Sequence, residues 1–216
     1  MGAFTQRPSA YTPPFDGQEP GPTLVGGGRE ASPARNPDNW RIELRRHPIL
    51  HRGHAVLVLV GPNGEVEELN GMAKSRNTGH LTNFGLDGMQ LYAIRDRERP
   101  RYAVGAERVA VMASGSREQI VDGLWARASA AADQINDKNF DYKGHDPAYE
   151  FGGSGGEIQN SNSVAYTLSR AMGIDLGKVV RDAGAERRFS GMGRDLLAAG
   201  YKRYVAPPQF AVSNTP

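Results

Sequence analysis

A chain of 216 residues with 38% hydrophobic and 8% aromatic content is long enough for one well-cored domain with a tail or two. It has no cysteine, which excludes disulfides, thiolate zinc sites and cysteine nucleophiles. The formal charge is only +2, and the Arg clusters (Arg41, Arg45 and Arg46; Arg95, Arg97, Arg99 and Arg101; Arg187 and Arg188) interleave with Glu or Asp, so they read as solvated faces rather than a nucleic-acid surface.

Residues 1–39 hold seven of the fourteen prolines, the run Gly26-Gly27-Gly28 and almost no apolar periodicity. Such a segment buries too little apolar surface to offset its ordering entropy, so it reads as a disordered or partner-ordered arm. It lacks the charged-then-apolar pattern of a signal peptide. No apolar run anywhere approaches ~20 residues, so no membrane-spanning helix is expected and the chain reads as soluble.

Order begins at Trp40. Arg41-Ile42-Glu43-Leu44-Arg45 alternates like a half-buried strand. Residues 54–60 form a nearly continuous apolar run, the pattern of a central strand. Gly61-Pro62-Asn63-Gly64 signals a turn, and Glu65 to Leu69 returns as the second arm of a hairpin. Residues 70–88, rich in Gly, Asn and Thr, read as a long surface loop. Met89–Ile94 and Arg108–Met112 are further strands.

Helix follows. Ser116 and Gln119 have capping-box spacing, and Ile120, Val121, Leu124, Trp125, Ala128, Ala131, Ala132 and Ile135 trace one face. Gly123 is its soft spot. After an irregular stretch ending in Phe151-Gly152-Gly153-Ser154-Gly155-Gly156, a second helix starts near Ser161 and ends at Met172-Gly173. A short helix is predicted at Arg194–Ala199, before a proline-containing tail. Strands followed by helices give an α+β class, an antiparallel sheet with a long helix and a helix carrying a nucleophile. Three segments result: the arm at 1–39, a folded domain at 40–175, and a C-terminal extension and tail at 176–216.

The segment Gln159-Asn160-Ser161-Asn162-Ser163-Val164-Ala165-Tyr166-Thr167-Leu168 carries the chemistry. Val164, Ala165 and Leu168 lie three, four and seven positions after Ser161, which is a buried helical stripe. A serine at such a helix start has backbone N–H groups nearby for a developing oxyanion. Asn160, Ser161, Asn162 and Ser163 are equally good capping residues, and Ser163 is a rival nucleophile. Ser161 is preferred because the apolar residues at +3 and +4 keep its own side chain off the buried stripe. His54 opens the central strand and is the candidate base.

A third residue is needed to orient the imidazole. If Gly61 pairs with Gly64, His54 shares a face with Glu67 and Leu69. If Val60 pairs with Gly64, that face carries Glu68 and Asn70, with Asn70 directly opposite His54. A one-residue slip exchanges the faces. Asn70 is chosen because Val66 then shares the inner face with His54; Glu67 and Glu68 otherwise read as solvated hairpin charges.

Asp133, Asp137, Asp141, His145 and Asp146 lack the spacing of a calcium loop. Pro48 argues against pairing His47 with His51 on a helix. Gly152–Gly156 lacks the Lys-Ser/Thr of a phosphate loop. No metal or cofactor is therefore expected.

Gly53-His54-Ala55-Val56 and Asn160-Ser161-Asn162-Ser163-Val164 together resemble permuted papain-fold hydrolases, which include NlpC-type, lecithin-retinol-acyltransferase-like and deSUMOylating-isopeptidase-like proteins. In these a His opening an early strand precedes an Asn-Cys-Asn/Glu-x-Phe motif at a helix start. Ser161 stands in the Cys place and Val164 in the Phe place. The resemblance covers about residues 41–173. It implies a papain-like α+β domain that hydrolyses or transfers an amide or ester bond, with Ser161 attacking, His54 shuttling the proton and Asn70 orienting it. A peptide, cell-wall-type or acyl substrate would follow. The departure from Cys matters, because a serine hydroxyl needs its base to take the proton during attack. The alternative is a non-catalytic subunit of a virion or secretion machine, whose arm and tail hold neighbouring protein chains.

Overall fold

The computed structural model describes residues 39–49, 52–82, 85, 88–144, 158–186 and 189–198. The expected arm up to residue 38, the glycine-rich lead-in at 151–156 and the tail from 199 lie outside the described residues. So do His51, His145, Asp146, Arg187 and Arg188.

Among the described residues an antiparallel sheet of six strands carries three helices, an α+β arrangement as expected. The strands are β1 (Trp40–Ile49), β2 (Arg52–Val60), β3 (Val66–Lys74), β4 (Leu81–Thr82), β5 (Gln90–Asp96) and β6 (Glu107–Gly115). β1 lies between β6 and β2, and β2 lies between β1 and β3. β5 runs along one edge of β3 from Glu68 to Lys74. The other edge of β3 is shared: β2 pairs with Val66–Asn70, and β4 pairs with Ala73 and Lys74. Gly71 and Met72 fall in the opening between the two ladders. Pro48 is tolerated in β1 because the β6 ladder ends at Arg46, so its missing N–H breaks no pairing there.

The hairpin register is neither of the two expected. Val60 pairs with Val66, leaving residues 61–65 as the loop, closed by Gly61 N–H donating to the Glu65 carbonyl at 2.8 Å. This is a two-residue shift from the Val60–Gly64 alternative, and a shift of two preserves the face. Glu68 and Asn70 therefore stay on the His54 face, but Asn70 stands opposite Val56 rather than His54.

Both faces of the centre of the sheet are covered, which explains the unbroken apolar run of β2 in an antiparallel setting. On one face Ile42, Leu44, Ala55, Leu57, Leu59 and Leu69 join the helices in the main core. On the other, Val56, Val58 and Val60 pack with Ala103, Val66 and Tyr102. Glu43, Glu67 and Glu68 are all buried, so reading the hairpin glutamates as solvated is corrected. Glu43 is held by Arg41 and Arg45, at 2.6 and 2.7 Å. Glu67 is held by Arg95 and Arg97 and by the Trp125 indole N–H at 2.7 Å. Part of the Arg count that looked like solvated surface thus neutralises buried carboxylates.

The long helix begins with a π-wound segment, Glu118–Trp125, and continues as α1 (Ala126–Lys138). Ser116 and Gln119 exchange side-chain-to-backbone hydrogen bonds, both at 3.3 Å, as their spacing predicts. The widened winding contains Gly123, the weak point of the helical pattern. Trp125, Ala128, Ala131, Ala132 and Ile135 are buried against the sheet and the next helix. Asn136 docks α1 on β5 by bonding both the N–H and the carbonyl of Ala93, at 2.7 and 2.8 Å.

α2 (Ser161–Ala171) ends at Gly173, whose φ of 81° makes the left-handed cap. α3 (Leu176–Asp182) has no counterpart among the elements expected from sequence. Its seven residues include Gly177 and are too few to show a periodicity; the Asp175 carboxylate caps it at 3.0 Å. The helix expected at 194–199 is instead a turn across the described residues 194–198, closed by Ala198 N–H on the Asp195 carbonyl. The expected loop 70–88 loses its first residues to β3 and also contains β4. Leu176, Val180, Ala185, Phe189 and Leu196 contribute to the main core, so the chain beyond 175 packs with the domain as far as Leu196.

Candidate functional site

α2 starts at a capping box. Asn160 is the cap residue, and its Oδ1 accepts the N–H groups of Asn162 (2.9 Å) and Ser163 (3.4 Å). Ser163 Oγ accepts the Asn160 N–H at 3.3 Å and donates to the Gly191 carbonyl at 3.0 Å. Ser163, the rival nucleophile, is thus fully committed to holding the helix start. Ser161 is the first helical residue, and neither its hydroxyl nor its N–H makes a hydrogen bond among the described residues. Asn160 therefore occupies two N–H groups of the first turn and leaves that of Ser161 for an incoming oxygen.

Asn162 joins this helix start to the His strand. Its Oδ1 accepts the Ala55 N–H at 2.9 Å, and its Nδ2 donates to the carbonyls of Gly53 (3.1 Å) and Ser190 (2.8 Å). The amide therefore bonds both chain neighbours of His54. It takes over the backbone groups left at the edge of β2 once the β3 ladder stops at Val56–Asn70. Gly71 makes the close approach possible, since a Cβ there would lie 2.7 Å from Ser161 Cα. The first turn of α2 thus seats in the opening between β2 and β3. A glycine inside a strand pattern is the signal that marks such an approach in sequence.

His54 leaves β2 on the opposite face from the main core and is 1% exposed. Its Nε2 lies 3.3 Å from Asn70 Oδ1, and Asn70 Nδ2 donates to Glu68 Oε1 at 3.1 Å. Glu68 Oε2 accepts the N–H groups of Tyr102 (2.9 Å) and Ala103 (2.8 Å). The Tyr102 ring packs on both His54 and His47, with centroids 5.2 and 5.0 Å away. His54 Nδ1 is buried and has no hydrogen-bond partner among the described residues. With Asn70 Oδ1 taking the Nε2 proton, Nδ1 is a bare acceptor.

Burial lowers the His54 pKa to about 4, with the nearby charge of His47 adding to the fall and the Asn70 hydrogen bond opposing it. The imidazole is neutral at neutral pH. Burial pushes the Glu68 carboxyl up, against the pull of the backbone N–H groups of the 101–103 loop. For Glu67 burial also acts upward, but Arg95, Trp125 and Arg97 outweigh it and hold that carboxyl below its usual range.

The three residues singled out in the sequence, His54, Asn70 and Ser161, thus fall at one corner of the sheet. Asn70 bonds His54, Ser161 packs against the residue after Asn70, and Asn162 bonds both sides of His54. No hydrogen bond joins His54 to Ser161. The sequence does not single out Asn162, Gly71 or Tyr102 for the site, and it offers Glu68 only as a residue sharing the His54 face in one hairpin register. Asn162 looks there like one of four equivalent caps, and Glu68 like a solvated charge. No family model matches the chain, and neither a curated protein nor a solved structure is similar to it at a significant level.

Proposed function

We propose that this protein is a serine-dependent hydrolase or acyltransferase of permuted papain-like type, acting on an amide or ester bond. The observation that carries the reading is the state of His54. Its imidazole is neutral and held at Nε2 by Asn70, and its Nδ1 has no partner among the described residues. Both its chain neighbours are bonded by Asn162, the residue after a serine whose hydroxyl makes no hydrogen bond among the described residues. Leaving a buried acceptor unpaired costs roughly 1–3 kcal/mol, so such a group is unusual unless something uses it.

In the reaction, Ser161 Oγ attacks the acyl carbon while its proton passes to His54 Nδ1. The carbonyl oxygen gathers charge opposite the Ser161 N–H. The imidazolium then returns the proton to the departing amine or alcohol, leaving an acyl group on Ser161. Water, activated by the same nitrogen, releases the acid; a second alcohol or amine in its place gives transfer. Closing the Ser161–His54 bond is left to the substrate complex, where catalytic hydrogen bonds tighten. The order of the parts, His strand first and nucleophile helix later, supports the papain-like assignment, and peptide or cell-wall-type amides are the first substrate class to screen.

One observation favours a second reading, a binding or structural subunit: Ser161 is only 6% exposed. Intact-mass analysis after treatment with a fluorophosphonate, followed by turnover assays on acyl esters and muramyl peptides, separates the two. A single phosphonyl adduct on Ser161, absent from Ser161→Ala and reduced roughly a thousand-fold in rate in His54→Gln, is expected. An unlabelled, inactive wild type would leave the structural reading in its place.

A further inference from the structure

Asn70 can serve His54 in either of two ways, because its amide turned by half a rotation would present Nδ2 instead of Oδ1 to the ring. The choice decides which imidazole nitrogen carries the proton. With Oδ1 toward Nε2 the proton sits on Nε2 and Nδ1 is basic; with Nδ2 toward Nε2 the proton moves to Nδ1 and the acceptor is lost. Nothing on His54 itself selects between these, since Nδ1 has no partner among the described residues.

Glu68 does select. It is fully buried, and its Oε2 is occupied by two backbone donors, Tyr102 N–H and Ala103 N–H. Its Oε1 faces the Asn70 amide at 3.1 Å. In its ionised form Glu68 only accepts, so the atom of Asn70 that faces it is the NH2 group. That leaves Oδ1 to face His54.

We propose that Glu68 is a positioning residue that sets the Asn70 amide orientation and thereby the His54 tautomer, keeping Nδ1 unprotonated. The loop carrying Tyr102 and Ala103 is part of the device, because its two N–H groups dictate which way the Glu68 carboxylate points. The catalytic importance of this relay rests on the Ser161–His54 reading. The tautomer itself does not.

The test is the ¹⁵N spectrum of the His54 ring in labelled full-length protein at neutral pH, assigned by loss of the signals in His54→Gln. Wild type is expected to show the Nε2–H tautomer; an Nδ1–H wild type would overturn the proposal without any variant. In Glu68→Gln the single amide oxygen is drawn to the two backbone N–H groups, so the new NH2 group faces Asn70 and turns its amide over. His54 should then switch to Nδ1–H, and fluorophosphonate labelling should fall roughly a hundred-fold or more. In the double variant Glu68→Gln/Asn70→Asp the introduced amide donates to one oxygen of the introduced carboxylate and His54 Nε2–H to the other. That arrangement should restore the wild-type tautomer. A Glu68→Gln protein that keeps Nε2–H, or a double variant that stays switched, would refute the role of Glu68. A tautomer pattern as expected with no labelling of any form would retain the positioning and remove the hydrolase reading instead.

Discussion

At the scale of single residues, the buried imidazole makes the sharpest demand on its surroundings. His54 must be neutral in the folded protein, whereas in the unfolded chain it takes up a proton near its ordinary value of 6.5. Its contribution to stability is complete above about 6.5 and is lost as pH falls towards about 4, the folded value. The full loss is on the order of 3 kcal/mol. Urea melts across that range should show wild type losing stability relative to His54→Gln as pH falls; parallel curves would mean that the ring is not shielded from protons. The same shift places the acid limb of any pH–rate profile near 4 rather than 6.5. Gly71 makes a second residue-scale demand. An added methyl at this position meets Ser161 Cα and Val164 Cγ2, both at 2.7 Å, and the first of these is backbone that cannot rotate away. Gly71→Ala should cost about 1–3 kcal/mol in chemical denaturation and also displace Ser161, so that labelling falls with stability. An unaffected Gly71→Ala would show that α2 does not seat between β2 and β3.

At the scale of elements, the site is a junction between a helix start and two diverging strands. The capping spacing of Asn160 and Ser163 and the apolar stripe of α2 are local properties, and both are legible in the chain. The divergence of β2 and β3 is not, because it depends on β4 taking over the edge of β3 at Ala73 and Lys74. A two-residue strand carries no periodicity to read. Glu68 is hidden for a related reason. A glutamate in a hairpin is ordinarily solvated, and only the fold of residues 97–106 over that face, with Tyr102 and Ala103 N–H groups aimed at it, makes its burial tolerable. The hairpin itself is clear from Gly61-Pro62-Asn63-Gly64, yet its register depends on a loop one residue longer than the turn signal.

At the scale of the whole molecule, the chain after α2 completes the domain. Ser190 and Gly191 receive hydrogen bonds from Asn160, Asn162 and Ser163, so the helix start is clamped from the C-terminal side as well as from β2. Leu196, fully buried, anchors that returning segment in the main core. Leu196→Ala should cost roughly 2–5 kcal/mol, with one cooperative transition seen alike by circular dichroism and Trp fluorescence. A separate early transition would mean that residues 189–198 fold independently of the sheet. Among the described residues no helix is long and apolar enough to cross a membrane.

Sequence alone determined the parts whose information is local: the central strand from its apolar run, the long helix from its stripe and capping pair, the helix start at Ser161, and the α+β class from their order. It also supplied His54 as a polar residue opening an apolar strand, Ser161 as a serine at a helix start, and Asn70 from a hairpin register that the structure shifts by two residues while keeping its face. Only the tertiary structure decided that the three fall at one corner, that Asn70 reaches His54 from opposite Val56, and that Glu68 is buried behind it. Those facts follow from strand register, from the β2–β3 opening and from a covering loop. Each arises from contacts between residues distant in the chain, where no periodicity in the sequence records the pairing.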